Sequence, residues 1–346
     1  MIVGAPFAGA TLPLTFSRSA HRSARTLCAA AVVHAAVAAA GEPLYVKNLS
    51  PLAGLLGLPS QRDAAIGEPG AVTLALHAGV ASHYVAEGSD AEFLRLDGET
   101  ARLALELRYA LSRDWDLQLE LPWLEHSGGH LDRAIDNWHH LWGMSDGGRG
   151  AVPRDRLDYR YRGATARFTL RDRACGPGDI SLALSHAFYR RDRTVASAML
   201  GYKFGTAREP DLLGSGADDV YLGLRLSGAQ PATRPLLWHG QLGYLRAGAS
   251  DTLRGAQARD LWFAGLALDW RVGRRWSLVG QLDGHAAPLD SDLTAVGDAA
   301  WLLTLGARWR FAADWSVDVS VVEDLQVSSA PDVTFQASLR YRPAES

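Results

Sequence analysis

The strongest constraint on the fold is a period-two alternation of apolar and polar side chains in the last third of the chain. Between Trp301 and Phe311 the odd positions carry Trp, Leu, Leu, Ala, Trp and Phe, whereas the even positions after Leu302 carry Thr, Gly, Arg and Arg. The run from Trp315 to Val321 repeats the pattern after a short turn. Neighbouring side chains of a β-strand point to opposite faces, so the alternation predicts strands with one apolar and one charged face.

This alternation fits two architectures. A soluble β-sandwich turns its apolar faces inward, whereas a membrane barrel turns them toward lipid and places aromatic residues at its rims. The remainder of the chain has to distinguish the two.

Residues 1–40 have the composition of an export signal. Arg18, Arg22 and Arg25 lie in a segment without acidic residues, and an apolar run rich in Ala and Val follows up to Ala40. This run is shorter than the roughly 20 residues of a spanning helix. We therefore predict a signal peptide that is cleaved after Ala40, within a few residues. The alternative is a buried Ala-rich helix, which the sequence 41–43, Gly-Glu-Pro, would interrupt.

Composition agrees with an exported barrel and disfavours other classes of protein. The net charge is -3 and the mean hydropathy is -0.07, so the chain resembles neither a nucleic-acid-binding protein nor a helical membrane protein. Only Cys175 remains after the predicted cleavage, which excludes a disulfide framework in the mature chain. We expect no nucleic-acid partner and no cofactor.

The alternation extends over about twelve strands, each near the ~9–11 residues that a tilted spanning strand requires. The predicted strands cover residues 71–84, 99–111, 115–125, 179–190, 194–206, 218–228, 235–247, 260–272, 276–287, 299–311, 315–325 and 331–342. Short turns alternate with mostly longer connections, as in bacterial barrels with short periplasmic turns and long outer loops. The sequence thus predicts an all-β fold, a transmembrane antiparallel up-and-down barrel at residues 71–346, in the bacterial outer membrane.

Aromatic residues flank the short turns and predict a girdle at that rim of the barrel. They are Tyr109, Trp115, Phe188, Trp238, Trp270, Trp276, Trp309, Phe311 and Trp315. The last strand ends near Tyr341 and is similar to the assembly signal of outer-membrane proteins, although residues 342–346 follow it. We therefore expect outer-membrane lipid and the barrel-assembly machinery as partners.

Charged residues occupy mainly one face of each predicted strand. A charge at the lipid-facing midplane costs roughly 2–4 kcal/mol, so this face should line the lumen. The lumen-lining candidates are Arg102, Glu106, Arg108, Glu120, Lys203, Arg225, Asp269, Arg271, Asp283, Arg308, Arg310 and Asp318. Two interpretations remain open, a lining of mutually neutralising ion pairs that only stabilises the barrel and a lining that selects a solute.

Two segments do not fit the strand pattern. Residues 41–70 are interrupted by Pro and Gly, and we predict a periplasmic strap or a plug in the lumen. Residues 126–178 form a long insertion between strands, and a loop of this length usually has a role. We expect it to fold over or into the outer mouth of the barrel, with a simple rim-shielding lid as the alternative. Its constriction candidates are Asn137, Trp138, His139, His140 and Trp142.

Short motifs in these segments resemble a known family. The pattern Pro-Leu, Asn-Leu-Ser-Pro and Gly-Leu-Pro within 43–59, Trp-His followed by Trp-Gly within 138–143, and Gly-Asp at 178–179 look like the bacterial proteins grouped as domain-of-unknown-function family 3187. The stretches 202–206 and 214–216 are also similar to outer-membrane channels linked to aromatic degradation. The resemblance implies an outer-membrane location and a barrel fold.

Enzymatic chemistry has weaker support in the sequence. Ser185-His186 and His126-Ser127 are adjacent pairs, but neighbours on a strand face opposite ways and cannot meet as nucleophile and base. We therefore predict no catalytic residues and no metal site, although His139-His140 would be the place for a metal. The predicted function is passive passage or uptake of a small solute through a charged lumen gated by 126–178. The alternatives are a structural or assembly-related envelope protein without transport and a lipid hydrolase at the rim.

Overall fold

The computed structural model describes residues 41–129, 155–230, 236–325 and 329–343, together with Met1. The strands in this part of the chain are β1 (Val72–Gly88), β2 (Phe93–Ala110), β3 (Trp115–Ser127), β4 (Tyr159–Arg162), β5 (Arg167–Leu170), β6 (Ala174–Pro177), β7 (Ser181–Arg191), β8 (Thr194–Lys203), β9 (Asp219–Ala229), β10 (Leu236–Arg246), β11 (Asp260–Arg271), β12 (Trp276–His285), β13 (Ala300–Arg310), β14 (Trp315–Asp324) and β15 (Val333–Tyr341). The described helices are short, with 3₁₀ turns at Ala53–Leu55 and Glu209–Asp211 and an α-helical turn at Thr294–Gly297. In the described ranges, no helix is long and apolar enough to cross a membrane.

All strands except β4, β5 and β6 form a closed antiparallel barrel of twelve strands. Each of them pairs with its neighbours in chain order, and β1 closes the ring by pairing with β15 as well as with β2. Ala78, for example, faces Leu103 on one side and Ala337 on the other. An even number of strands lets the first and last strands meet antiparallel. The predicted all-β barrel of about twelve strands is confirmed.

The strands next to the long insertion differ from the sequence prediction. β1 extends to Gly88, four residues beyond its predicted end at 84. β2 begins at Phe93, six residues before its predicted start at 99. The insertion itself contributes three short strands, since β4 pairs with β2 at Phe93–Arg95, β5 pairs with β4, and β6 pairs with β3. The backbone of β2 at Phe93–Arg95 and the backbone of β3 at Trp123–His126 therefore have hydrogen-bond partners in the insertion.

The outer surface of the barrel is an apolar belt between two aromatic zones. Alternate residues of each strand point outward, and exposed leucines such as Leu224, Leu266 and Leu305 occupy the strand centres. We call the end with the connections 111–114, 272–275 and 311–314 the short-turn end, and the opposite end the long-loop end. At the short-turn end, aromatic rings contact one another in series along Trp276, Trp309, Phe311, Trp315 and Tyr341.

An apolar cluster closes the barrel interior at the long-loop end. It combines residues of the extended strands, such as Leu94, with Tyr159 and Phe168 of the insertion hairpin. Residues from later loops, including Leu253 and Val296, pack into the same cluster. Aromatic and aliphatic burial of this kind holds several loops together at one mouth of the barrel.

A charged residue introduced into the lipid-facing belt tests whether this surface contacts hydrocarbon. Leu266 is 65% exposed at the centre of β11. We expect Leu266→Arg to destabilise the barrel refolded in lipid vesicles by about 2–4 kcal/mol, since the cation would lie near the bilayer midplane. Denaturant titration of refolded protein measures the difference. Ala91→Arg in the exposed connection 89–92 is the control, and equal stability of the two variants would argue against a lipid-facing belt.

Candidate functional site: the barrel interior

Residues 41–64 lie inside the barrel, and we call them the luminal segment. Near the short-turn end, Glu42 contacts Arg108 and Arg340. The backbone oxygen of Leu55 accepts a hydrogen bond from Lys203 at the end of β8, near the long-loop end. The segment then returns, and Ala64 meets the wall near the short-turn end again, before residues 65–71 lead into β1. The segment therefore makes a U-shaped excursion through the lumen.

Side chains of the wall bind the backbone of the luminal segment, which forms no strand of its own. Gln281 accepts from the Leu44 N–H at 2.8 Å and donates to the Leu44 oxygen at 3.2 Å. Asp219 accepts from the Gly57 N–H at 2.8 Å. Buried backbone groups need partners, and a segment interrupted by proline cannot obtain them all from a ladder. The polar inner face of the barrel supplies them.

A network of ion pairs holds the start of the segment at the short-turn end. The Glu42 carboxylate accepts from Arg108 at 2.8 Å, from Arg340 at 3.0 Å and from Arg342 at 2.8 Å. Arg308 donates to the Glu42 backbone oxygen at 2.7 Å while pairing with Asp318 at 2.7 Å. Charge-assisted hydrogen bonds of this kind are about twice as strong as neutral ones.

Halfway along the lumen, aromatic stacking accompanies the ion pairs. Tyr45 stacks on the ring of His77 with centroids 3.8 Å apart, and the guanidinium of Arg62 lies 5.3 Å from the Tyr45 centroid. Arg62 pairs with Glu106 of β2, and both side chains are buried. Arg102 contacts the Tyr45 hydroxyl and pairs with Glu120 at 2.6 Å. This layer therefore joins the luminal segment to β1, β2 and β3.

Near the long-loop end, one lysine connects three parts of the molecule. Lys203 lies 2.9 Å from Asp179 before β7 and 3.2 Å from Asp219 at the start of β9. It also donates to the backbone oxygen of Leu55 in the luminal segment, at 3.0 Å. All three charged groups are buried, so the lysine has exchanged its hydration for protein contacts.

The predicted lumen-lining residues share the parity of the buried side chains of their strands, opposite to the exposed leucines, and their role in lining a solute path stays a prediction. They are Arg102, Glu106, Arg108, Glu120, Lys203, Arg225, Asp269, Arg271, Asp283, Arg308, Arg310 and Asp318. Most of them contact an opposite charge or an amide; Asp283, for example, accepts from Gln61 at 2.7 Å and from Gln281 at 2.8 Å. The luminal segment supplies three charged partners whose roles the sequence does not predict, Glu42, Lys47 and Arg62. Their only signal in the sequence is a charged residue inside an otherwise apolar, proline-rich stretch.

The constriction candidates Asn137, Trp138, His139, His140 and Trp142 lie outside the described residues. The described part of the insertion, 155–178, forms β4–β6 at the mouth of the barrel. In the described ranges, no group of three or more His, Cys, Asp or Glu side chains is arranged to hold a metal ion.

Arginine side chains surround one carboxylate of the insertion. Asp158 is fully buried and accepts from Arg160 at 2.7 Å and from Arg171 at 3.1 Å, and Arg156 lies at 3.2 Å. Burial by itself raises the pKa of Asp158, but the hydrogen bonds and charges of Arg171, Arg160 and Arg156 outweigh it and lower the pKa below the ordinary value. The ionised carboxylate therefore stabilises the hairpin of β4 and β5.

A small cavity remains between the luminal segment and the wall. Its volume is about 80 Å³, and Lys47, Asn48, Arg102, Asp283 and His285 contribute polar groups to its lining. It is a gap beside the luminal segment, and is far smaller than the roughly 300–1,000 Å³ of a typical ligand pocket.

The two Ser-His pairs are not arranged for nucleophilic catalysis. The His186 ring stacks on Trp115 outside the barrel, and its Nδ1 lies 3.2 Å from the Asp114 backbone oxygen. A β-bulge follows between Ala187 and Tyr189. His126 lies inside, bonded to Thr100 and to the Leu212 oxygen. Neither histidine is hydrogen-bonded to the serine beside it.

Comparisons with known proteins agree with this architecture. The profile of a family described as "Protein of unknown function (DUF3187)" matches residues 21–343. No curated protein matches the sequence. Among solved structures, the COG4313 outer membrane channel from Pseudomonas putida F1 superposes with a TM-score of 0.53 at 15% identity, over 81% of this chain and 97% of that one. The P. putida toluene transporter TodX gives a TM-score of 0.39 at 12% identity, over 88% of this chain and 96% of that one. The first of these likenesses shows a shared outer-membrane barrel fold.

Removing one member of the Arg62–Glu106 pair should loosen the luminal segment. Arg62→Met leaves Glu106 buried without its main cation, and breaking a buried pair costs about 3–5 kcal/mol. We expect faster hydrogen exchange across residues 41–64, measured by mass spectrometry, and partial recovery in Arg62→Met/Glu106→Gln. Arg254→Met removes an exposed pair with Asp251 and is the control. Unchanged exchange in Arg62→Met would contradict a structural role for the pair.

Acid should open the hairpin of β4 and β5. The pKa of Asp158 is lower in the folded protein than in the unfolded chain, so its stabilising effect is present above the unfolded pKa of about 3.9 and is lost as pH falls through the folded value. Hydrogen exchange of residues 159–170, followed between pH 3 and pH 7 and corrected for intrinsic exchange, should show weaker protection at the acid end. In Asp158→Asn the protection should be weaker throughout and should change less with pH. A wild-type acid response that persists in this variant would assign the effect to another group.

Proposed function

We propose that this chain, which belongs to the DUF3187 family of proteins of unknown function, forms an outer-membrane channel for a small polar solute, and that the luminal segment is its plug. The observation that carries the proposal is the U-shaped path of residues 41–64 through an inner face made of charged and amide side chains. These contacts are non-covalent and polar, so water and a polar solute can replace them when the segment moves.

The chemistry of the inner face supports a polar solute with hydrogen-bonding groups. Cations and anions alternate along the lumen, as in Arg102 beside Glu120 and Arg308 beside Asp318. A lining of both signs favours small polar or zwitterionic molecules over large ions of one sign. The lumen of a twelve-strand barrel is also narrow, since open water-filled channels usually have 16–18 strands. A narrow polar lumen suits a small solute.

The insertion 126–178 has a proposed gating role at the opposite mouth. Its hairpin packs in the apolar cluster with Leu52 and Leu55 of the luminal segment. Movement of the insertion would therefore uncover the bend of the plug. This contact supports a coupled opening of the insertion and the plug.

The location and the partners are part of the same proposal. The apolar belt between aromatic zones suits a lipid bilayer, and the leader predicted at 1–40 would export the chain. The last strand, β15, carries Phe335, Leu339 and Tyr341 and would present the assembly machinery with its signal. These features support an outer-membrane protein inserted from the periplasm.

One observation favours a second candidate, a closed envelope barrel without transport. The charged groups of the lumen are extensively neutralised by the luminal segment, and buried pairs that are fully hydrogen-bonded form a stable interior. In this case the luminal segment would be a permanent core.

An engineered disulfide that fixes the luminal segment to the wall distinguishes the two candidate functions. The backbone nitrogen of Ala64 lies 2.9 Å from Ser227 Oγ, so Ala64→Cys/Ser227→Cys in a Cys175→Ser background should form a disulfide between the segment and the wall. We expect solute flux into proteoliposomes that rises when reductant opens the disulfide. Single-cysteine variants are the controls, because reductant should not change their flux.

Deletion variants complete the test. Removal of residues 44–64 should give flux that is independent of reductant, and removal of 130–154 should raise the flux of the unlocked protein. Folding of each variant is checked by heat-dependent migration on a gel. Folded barrels that show no flux in any of these forms would refute passage and leave the closed envelope barrel.

A further inference from the structure

The first residue of the luminal segment lies against a buried carboxylate. Gly41 is buried, and a Cβ at this position would lie 1.8 Å from Asp269 Oδ2. Only glycine therefore fits without displacing the Asp269 side chain. With glycine at position 41, the backbone lies closer to the wall of β11 than a residue with a Cβ atom would allow.

Asp269 has an oxygen without a hydrogen bond at this place. Its Oδ2 pairs with Arg308 Nη1 at 3.0 Å. Its Oδ1 is buried and has no hydrogen-bond partner within the described ranges. Buried carboxylate oxygens normally accept hydrogen bonds, so the Asp269 carboxylate, which lies against Gly41, can accept a further donor.

We propose that proteolytic maturation supplies this donor, and that Asp269 binds the α-ammonium group of Gly41. A signal-peptidase-type hydrolase would cleave the Ala40–Gly41 peptide bond with one water molecule. The hydroxyl of the water adds to the Ala40 carbonyl carbon, and the resulting carboxylic acid loses its proton to become a carboxylate. The amide nitrogen of Gly41 takes a hydrogen from the water and becomes an amine, which is protonated near neutral pH. The new ammonium has three N–H donors, and the Asp269 carboxylate accepts one of them.

The surrounding contacts hold the new N-terminus next to Asp269. Arg308 binds Asp269 and also donates to the Glu42 backbone oxygen at 2.7 Å, so one guanidinium fixes both partners. The Glu42 carboxylate is bound by Arg108 and Arg340. Arg271 and Arg310 belong to the same group of charges. The three atoms nearest to a Cβ built on Gly41 all belong to Asp269. The ion pair would anchor the free end of the proposed plug, and in this respect the inference rests on the proposed function.

The test begins with the full chain, produced with its leader in a Gram-negative host and isolated from the outer membrane. Intact mass should place the N-terminus at Gly41. The α-amine is then labelled with an amine-reactive ester near pH 6.5, and site-specific labelling is measured by peptide mass spectrometry. We expect Asp269→Asn to label roughly tenfold faster than the unaltered protein, since the loss of a charge-assisted contact frees the amine. Asp260→Asn, an exposed carboxylate near the other end of β11, is the control and should label at the unaltered rate.

A second variant covers the possibility that Asp269→Asn does not fold. Gly41→Ala retains every charge but places a methyl group against the carboxylate, and its α-amine should also label faster. An N-terminus at another residue, or equal labelling of the unaltered protein and of the folded variants, would overturn the ion pair.

The labelling result tests the ion pair, whereas the flux result tests the proposed plug. A freely reactive amine together with reductant-dependent flux in the locked variant would refute the ion pair and retain the plug. A protected amine in a barrel without flux would support the ion pair and refute passage.

Discussion

The structure depends on the neutralisation of charged side chains inside a narrow barrel. Lipid outside the strands requires apolar residues on one face, which places the charged residues of each strand on the inner face. A lumen of twelve strands offers these charges little water, and unpaired buried charges are unfavourable. The luminal segment resolves the conflict, because Glu42 and Arg62 pair with wall residues of opposite sign. Closure of the barrel and filling of its interior are therefore one physical problem.

The two ends of the lumen are closed by different interactions. At the short-turn end, ion pairs around Glu42 and Arg308 predominate. At the long-loop end, Leu52 and Leu55 enter an apolar cluster with the insertion hairpin. Ion pairs exchange readily with water and salt, whereas the apolar cluster depends on the packing of several loops. The two closures should therefore respond to different conditions.

Sequence reasoning predicts the barrel well because strand periodicity is local. The alternation around Trp309 and Val319 separates an apolar from a charged face, and the same pattern in the other strands predicted which side chains share the inner face. The extension of β2 to Phe93 was missed, since its partner is β4 of the insertion and no local pattern announces that pairing. The sequence does not distinguish a strap from a plug for residues 41–64. Their path comes from contacts across the chain, such as that between Leu44 and Gln281, which periodicity does not encode.

The position of Glu42 has a consequence for the order of folding. Its carboxylate binds Arg108 on β2 and Arg340 on β15, the two strands that flank β1 at the seam where the ring closes. Arg340 follows Glu42 by 298 residues, and such distant contacts form only after the intervening chain has been organised. The carboxylate can bind both arginines only when the last strand has joined the first. Binding of both arginines by Glu42 therefore indicates that the ring is closed, and an unclosed sheet lacks this attachment of the first residues of the luminal segment.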